Sequence, residues 1–189
     1  MLHGVASTAT ELLTFADGLA QSGGVRVFTP DIRRHGQSGG PRSDVNYVGQ
    51  YERDLADVFY ELREEEPDSK IVVAGHSMGG GIALRYALLT EPTTPDGYLL
   101  LAPNFGEGPT QAQPEERDDP NAEFVRFDLQ RMIGQIMFDA VGVKALDARR
   151  ILWFNTEPVQ AYSFRAVMSA QSIRPDLADA ALQPSRSER

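Results

Sequence analysis

Residues 71–87 read IVVAGHSMGGGIALRYA. The apolar run at residues 71–74 predicts a buried strand and residues 82–87 a helix, so the G-x-S-x-G motif at residues 75–79 predicts an abrupt strand-to-helix turn. Such a turn holds its serine, Ser77, in strained backbone geometry, with the hydroxyl exposed at the helix N-terminus. This arrangement is typical of a nucleophilic serine, and an ordinary strand-to-helix turn is the alternative.

Two glycines of the motif, Gly75 and Gly79, are required on steric grounds. A Cβ on either residue would collide where the strand and the following helix pass closest, and Gly80 and Gly81 extend the same freedom. We therefore expect close backbone contacts on both sides of Ser77 and a positive or otherwise strained φ at Ser77 itself.

Short apolar runs alternate with segments of helical periodicity in the first half of the chain. The runs at residues 25–29, 71–74 and 98–102 predict three buried strands. Two amphipathic helical faces alternate with them, and their apolar residues are Leu12, Phe15, Ala16 and Leu19 in one face and Tyr51, Leu55, Val58, Phe59 and Leu62 in the other. This alternation predicts an α/β fold in which helices flank a mostly parallel sheet.

The alternation ends after Pro103, where a segment rich in proline, glycine and acidic residues begins. We predict a partial core over residues 1–103 and a helical lid or cap region over residues 104–172. Residues 173–189 are predicted to start a further core segment and to end in an unstructured tail.

The lid region contains a long segment, residues 121–143, that is predicted to be helical. Its apolar positions cover more than the narrow stripe of a surface helix. Packing onto the core explains this excess, and so does a lid whose apolar face lines a site for apolar substrates. In the second interpretation Phe127, Met132 and Ile136 face the region above Ser77.

Composition excludes several classes of function. The chain of 189 residues has a formal net charge of −9 and no stripe of lysine and arginine, which disfavours nucleic acid as a partner. It has no cysteine, so disulfides, thiolate metal sites and a cysteine nucleophile are excluded. No apolar run has the length of a membrane span, and the first residues lack a signal-peptide pattern, so we expect a cytoplasmic protein.

Three motifs carry a resemblance to a known superfamily. Leu2-His3-Gly4-Val5 is similar to an oxyanion loop, and residues 75–79 are similar to a nucleophile elbow. Residues 31–38 read D-I-R-R-H-G-Q-S and are similar to a D-x-R-G-H-G-x-S loop, with Arg34 where glycine is usual. Together they resemble the α/β-hydrolase superfamily, in its branch of monoacylglycerol lipases, lysophospholipases and serine aminopeptidase-like hydrolases, over nearly the whole chain.

The resemblance implies a serine hydrolase that needs neither a cofactor nor a metal. Ser77 would be the nucleophile, and the backbone N–H groups of Val5 and Met78 would form the oxyanion hole. Gly75 and Gly79 would be the elbow glycines. The implied substrate is a small lipid-like carboxylic ester, a monoacylglycerol or a lysophospholipid, cleaved through an acyl-enzyme. A lid that contacts lipid would make the protein membrane-peripheral.

The residues that would serve as catalytic acid and base are not recognisable. The superfamily places its acid and then its histidine after the nucleophile, whereas His3, His35 and His76 all precede Ser77. The resemblance implies that His3 sets the oxyanion loop and that His35 braces the loop at residues 31–38. We expect His76 to have a packing or hydrogen-bonding role.

Two explanations of the missing triad members remain open. In the first, the chain is a fragment or a truncated gene product that lacks the first strands of the fold and ends near residue 184, before the triad Asp and His. In the second, the chain is a catalytically silent pseudo-hydrolase or acyl-binding module that keeps the turn for binding. Both explanations predict that this chain is inactive.

Overall fold

The computed structural model describes residues 1–40, 42, 44–89, 93–104, 125–155 and 159–171. A 3-10 helix at Ala9–Leu12 comes first and leads into the first α-helix. The remaining elements are α1 (Leu13–Gln21), α2 (Gln50–Glu65), β1 (Val72–His76), α3 (Met78–Ala87), β2 (Gly97–Leu101), β3 (Val125–Phe127), α4 (Leu129–Ala140), β4 (Arg150–Phe154), β5 (Gln160–Ser163) and α5 (Phe164–Gln171). Alternating strands and helices in the first half give the predicted α/β architecture.

A parallel sheet carries the G-x-S-x-G motif. Strands β1 and β2 pair in parallel, with Val72 opposite Gly97. On the other side of β1, the Leu2 N–H donates to the Ala74 carbonyl at 2.7 Å, and the His76 N–H donates to the Leu2 carbonyl at 3.0 Å. The strands predicted at residues 71–74 and 98–102 are therefore confirmed.

The strand predicted at residues 25–29 is wrong. This segment is described without strand structure. Its Phe28 carbonyl accepts a hydrogen bond from the Met1 ammonium group. One hydrogen bond does not make a ladder, because a strand exists only where successive residues pair with an adjacent chain. Val25 and Phe28 accordingly stay 54% and 44% exposed, although their sequence is that of a buried strand.

Helix α3 lies at the centre of the core. Residues 78–84 are all buried, and the helix packs against β1, β2, α2 and α5. On α2, Tyr51, Leu55 and Phe59 of the predicted face are buried, while Val58 is exposed. The helical periodicity thus identifies the face of α2 that packs on the core, with one residue at its margin left accessible to solvent.

A second sheet follows the region that the structure leaves undescribed. Its order is β3-β4-β5, and all three strands are antiparallel. Val125 pairs with Phe154 and Phe127 pairs with Leu152. The described part of residues 104–172, the predicted helical lid or cap region, therefore holds this sheet as well as α4 and α5.

The predicted helix at residues 121–143 is correct only in part. Residues 125–127 are a strand because their backbone pairs with β4. The helix α4 begins after Asp128, whose carboxylate accepts a hydrogen bond from the Arg131 N–H at 2.9 Å and so caps the helix. Residues 121–124, like the predicted tail at residues 173–189, lie outside the described residues.

Candidate active site

Ser77 occupies the turn between β1 and α3 with φ 50° and ψ −113°. The positive φ predicted from the motif is confirmed. A non-glycine residue in this region costs about 1–2 kcal/mol, so the surroundings must hold it in place. The Ser77 N–H donates to the Leu101 carbonyl at 3.0 Å, and the Ser77 carbonyl accepts from the N–H groups of Gly81 and Asn104 at 3.1 and 2.9 Å. Bonds from β2, from α3 and from the segment after β2 therefore fix the strained residue.

The motif glycines make the close contacts that the sequence predicts. A Cβ on Gly75 would lie 2.4 Å from the backbone carbonyl carbon and oxygen of Gly79. A Cβ on Gly79 would lie 2.4 Å from the carbonyl oxygen of Leu2. Both distances are far inside van der Waals contact, and both involve backbone atoms that cannot rotate away. The strand, the helix and the Leu2 segment meet here without room for a methyl group.

The loop after Leu2 lies directly beside Ser77. A Cβ on Gly4 would be 3.5 Å from the Ser77 Cβ and 3.2 Å from the His76 Nδ1. Val5 follows Gly4, and Met78 follows Ser77 as the first residue of α3. Neither the Val5 nor the Met78 N–H donates a hydrogen bond within the described part of the chain. The structure thus brings both predicted donor segments next to the serine.

His3 ties this loop to the next one along the chain. Its ring is fully buried, the Nε2 accepts from the Ile32 N–H at 3.0 Å, and the Nδ1 donates to the Gly4 carbonyl at 2.8 Å. Burial lowers the pKa of His3. A neutral ring with one donor and one acceptor satisfies both hydrogen bonds. This geometry agrees with the role of setting the loop that the resemblance implies for His3.

His35 braces the loop at residues 31–38. Its Nδ1 lies 3.0 Å from the Arg33 carbonyl, and its Nε2 lies 3.0 Å from the Tyr162 hydroxyl. The ring meets that of His3 edge-on, with centroids 5.2 Å apart. Burial lowers the pKa of His35 to about 4. Both ring nitrogens are therefore used to hold loops together.

We expect the buried neutral His35 to make stability depend on pH. The unfolded chain binds a proton at His35 near pH 6.5, whereas the folded chain does so only near pH 4. The stabilisation is therefore complete above pH 6.5 and is lost as the pH falls to 4, to a total of about 3 kcal/mol. Urea unfolding between pH 7 and pH 4 measures it, and a His35→Asn variant should lack this part of the slope. Parallel slopes for the two proteins would contradict the expectation.

Arg34 departs from the glycine that the related motif usually carries, and its backbone shows why glycine is usual there. Its φ is 65°, in the left-handed region. The buried guanidinium donates to the Asn46 side-chain oxygen at 2.6 Å and lies 3.9 Å from the Asp44 carboxylate. The Asp44 carboxylate also accepts from Arg165 at 2.8 Å. These side-chain contacts offset the backbone cost of placing arginine at this position.

Two residues of β5 that no sequence pattern identifies contact the loop beside Ser77. The Ala6 N–H donates to the Tyr162 hydroxyl at 2.7 Å, and the Gln160 side-chain amide donates to the Ala6 carbonyl at 3.1 Å. The Tyr162 hydroxyl also lies 3.1 Å from the Gln160 side-chain oxygen. The aromatic cluster around Tyr162 is visible in the sequence, but its pairing with Ala6 carries no local signal.

Two cavities are formed without Ser77 in their lining. One of about 280 Å³ is lined mainly by apolar side chains of Leu2, Leu55 and Ile82, with Asp31 and Arg33 at its polar side. A larger groove of about 1180 Å³ runs between residues 24–30 and residues 69–74. Ser77 lines neither of them, so neither is assigned as the substrate site.

The orientation of the lid segment, with Phe127, Met132 and Ile136 facing the region above Ser77, stays a prediction. Met132 packs against the core, whereas Phe127 and Ile136 are 39% and 44% exposed. The strongest packing of α4 is against β4. The described contacts do not place these three side chains above Ser77.

The described ranges contain neither a membrane-spanning helix nor a cluster of metal-ligating side chains. No helix there is long and apolar enough to cross a membrane. Within the same ranges, no three His, Asp or Glu side chains are grouped so that they could hold a metal ion.

The strained serine between a parallel strand and a buried helix defines an α/β hydrolase. The family model described as serine aminopeptidase, S33, matches residues 1–181. This chain therefore belongs to the serine aminopeptidase S33 family of α/β hydrolases.

Several known proteins are similar to this chain. Rat (Rattus norvegicus) monoglyceride lipase is 34% identical over 86 residues, which is 46% of this chain and 28% of the lipase. The sn-1-specific diacylglycerol lipase ABHD11 of Xenopus laevis is 32% identical over 113 residues, 60% of this chain and 33% of that protein. AB hydrolase superfamily protein YisY of Bacillus subtilis is 28% identical over 159 residues, 80% of this chain and 56% of that protein.

A solved structure is also similar. A marine microorganism esterase aligns with a TM-score of 0.44 and 20% identity, covering 78% of this chain and 48% of the esterase. The chain spans between 28% and 56% of the length of the three curated relatives named above.

Proposed function

We propose that this chain carries the nucleophile of a serine hydrolase that cleaves carboxylic esters of lipid-like alcohols, such as monoacylglycerols or lysophospholipids. The backbone of Ser77, with its φ of 50° between β1 and α3, is the observation that carries the proposal. A positive φ at a serine is a strained backbone conformation. The structure retains this strain at a residue that is partly exposed, which is typical of a functional site. Two relatives are lipases by name, which supports the choice of a lipid ester as substrate.

In the proposed reaction the Ser77 Oγ attacks the ester carbonyl carbon. The carbonyl oxygen becomes an oxyanion, which the N–H groups of Val5 and Met78 stabilise. Collapse of this intermediate breaks the bond to the alcohol and leaves an acyl group on Ser77, which water then removes. The serine proton must pass to a base and from there to the leaving alcohol.

The histidines of this chain do not meet the requirements for that base. His3 and His35 use their ring nitrogens in hydrogen bonds that hold loops. His76 lies beside Gly4, and no hydrogen bond from its ring to Ser77 is found among the described residues. We infer that the reaction needs a base and an orienting acid other than the residues described around Ser77.

Helix α4 is proposed as the part of the lid region, residues 104–172, that receives the acyl chain or contacts a lipid surface. It exposes several large apolar side chains, namely Leu129, Ile133, Ile136, Met137 and Phe138. An exposed cluster of this kind is typical of a surface that binds apolar ligands. It supports an ester with a long acyl chain over a short polar one.

The chain's lack of cysteine allows a test that does not depend on the missing base. A Ser77→Cys variant presents one thiol, which is intrinsically nucleophilic. Its sulfur forms a thioester with p-nitrophenyl butyrate, releasing p-nitrophenolate through an oxyanion, whereas alkylation by iodoacetamide forms no oxyanion. We expect the ratio of the acylation rate to the alkylation rate to be about 100-fold higher than for a surface thiol.

The matched control is a Ser22→Cys variant. Ser22 is exposed at the end of α1, so its thiol should react with both reagents as a free thiol does. Equal ratios for the two variants would contradict the proposed oxyanion hole. A ratio that is high only at position 77, with a further increase for longer acyl chains, would support the lipid-ester assignment.

A further inference from the structure

We propose that Tyr162 and Gln160 of the second sheet are positioning residues that set the direction of the Val5 N–H beside Ser77. This inference rests on the proposed function, in which that N–H stabilises the oxyanion. It gives the second sheet a role in positioning an oxyanion donor for Ser77, the residue that follows β1 of the first sheet.

The contacts converge on a single residue, Ala6. Its N–H donates to the Tyr162 hydroxyl at 2.7 Å, and its carbonyl accepts from the Gln160 side-chain amide at 3.1 Å. The two peptide units that flank Ala6 are therefore both held by β5. The peptide unit on the Val5 side begins at the carbonyl of Val5, so fixing it restricts the backbone of Val5 as well.

The loop needs such support because its own backbone is strained. Ala6 has a φ of 56°, a conformation that costs about 1–2 kcal/mol for a residue with a Cβ. Leu2 is held by β1 on one side of the loop, and the Ala9 N–H is held by the Asp31 carboxylate at 2.8 Å on the other. Between these points the Val5–Ala6 turn would relax to a negative φ if β5 released it.

Tyr162 is itself rigid, which makes it a suitable template. Its side chain is 2% exposed, and its hydroxyl lies 3.0 Å from the His35 Nε2. Its ring meets the Phe154 ring edge-on at a centroid distance of 5.7 Å. A buried side chain fixed on several sides transmits the position of the sheet to the loop without added flexibility.

The test uses the Ser77→Cys protein as the background. Tyr162→Phe removes the hydroxyl that holds the Ala6 N–H, and Gln160→Met removes the donor to the Ala6 carbonyl while keeping the side-chain length. We expect each change to lower acylation by p-nitrophenyl butyrate about 10-fold, because a displaced donor loses part of its effect on the oxyanion. Alkylation by iodoacetamide should change less than about twofold, because it forms no oxyanion.

Tyr51→Phe is the matched control. Tyr51 is also 2% exposed, but its hydroxyl makes no hydrogen bond within the described part of the chain. Its loss should leave both rates unchanged. Thermal unfolding of all variants shows whether they are folded, and the partly exposed Gln160 gives a variant that stays folded if Tyr162→Phe does not.

The outcomes separate this inference from the proposed function. A loss of acylation and alkylation together would mean that the two residues act only on the general structure, and unchanged rates would mean that they do not position the loop. Either result overturns the inference while the high ratio at position 77 stands. If the Ser77→Cys protein shows no excess of acylation over alkylation, the proposed function fails first and the inference fails with it.

Discussion

Replacing Gly79 with alanine is expected to lower the free energy of unfolding by about 3 kcal/mol or more. The added Cβ would lie 2.4 Å from the Leu2 carbonyl oxygen and 2.7 Å from the Leu2 carbonyl carbon. Leu2 cannot move aside, because it is hydrogen-bonded to Ala74 and His76 of β1. The clash must therefore be relieved by pulling α3 away from the sheet. Urea unfolding followed by circular dichroism measures the effect.

Gly134→Ala is the control for this prediction. Gly134 lies inside α4, and a Cβ there would meet no described atom within 4 Å. Alanine in the middle of an exposed helix should stabilise the protein by about 0.5–1 kcal/mol. If Gly79→Ala proved as stable as the wild type, the close approach of α3 to Leu2 would be wrong, and with it the turn geometry at Ser77.

The second large effect is the absence of ester hydrolysis that we expect for this chain without any substitution. We expect the 189-residue protein to hydrolyse a p-nitrophenyl ester no faster than its Ser77→Ala variant. A serine hydroxyl without a base is a poor nucleophile at neutral pH, and removing a triad member costs several powers of ten in turnover, about 10⁴–10⁶. Steady-state release of p-nitrophenolate by the two proteins provides the comparison.

Turnover that disappears in Ser77→Ala would show that a base is present after all. His76 and His35 would be the first groups to test by substitution, and a second chain that supplies the base would be recognised by a dependence on protein concentration. Labelling by a fluorophosphonate does not replace the turnover assay, because a strained serine beside two amide donors reacts slowly even without a base. Tight binding of a fatty acid that is equal in both proteins would favour the acyl-binding module.

Sequence patterns identified the parts of the fold that are determined by residues close together in the sequence. The turn at Ser77, its two glycines and the strands on either side of α3 all follow from residues within a short window. The segment at residues 25–29 has the composition of a strand, but whether it forms one depends on a neighbouring chain that the local pattern does not contain. The start of α4 does have a local signal, because Asp128 before a periodic apolar run is typical of a helix N-cap.

The candidate active site likewise has residues that local sequence patterns identify and residues that only the tertiary structure identifies. Ser77, Gly75 and Gly79 are recognisable from spacing alone, and the loop at Gly4 is recognisable from its resemblance to a known motif. Tyr162 and Gln160 were missed because their contacts with Ala6 join residues more than 150 positions apart in the chain. No periodicity or turn signal reports a contact of that kind, and only the packing of the second sheet against the loop reveals it.

The contact between Gly79 and the Leu2 carbonyl also has a consequence for the order of folding. The strained turn at Ser77 is shaped by Leu2, which lies beside β1 in space but far from Ser77 along the chain, so the turn cannot reach its final geometry before the chain between these two residues has closed into a loop. Closing this loop costs conformational entropy before the contact between Gly79 and Leu2 can form. The strained geometry of Ser77 is therefore a product of long-range assembly and not of the local motif alone.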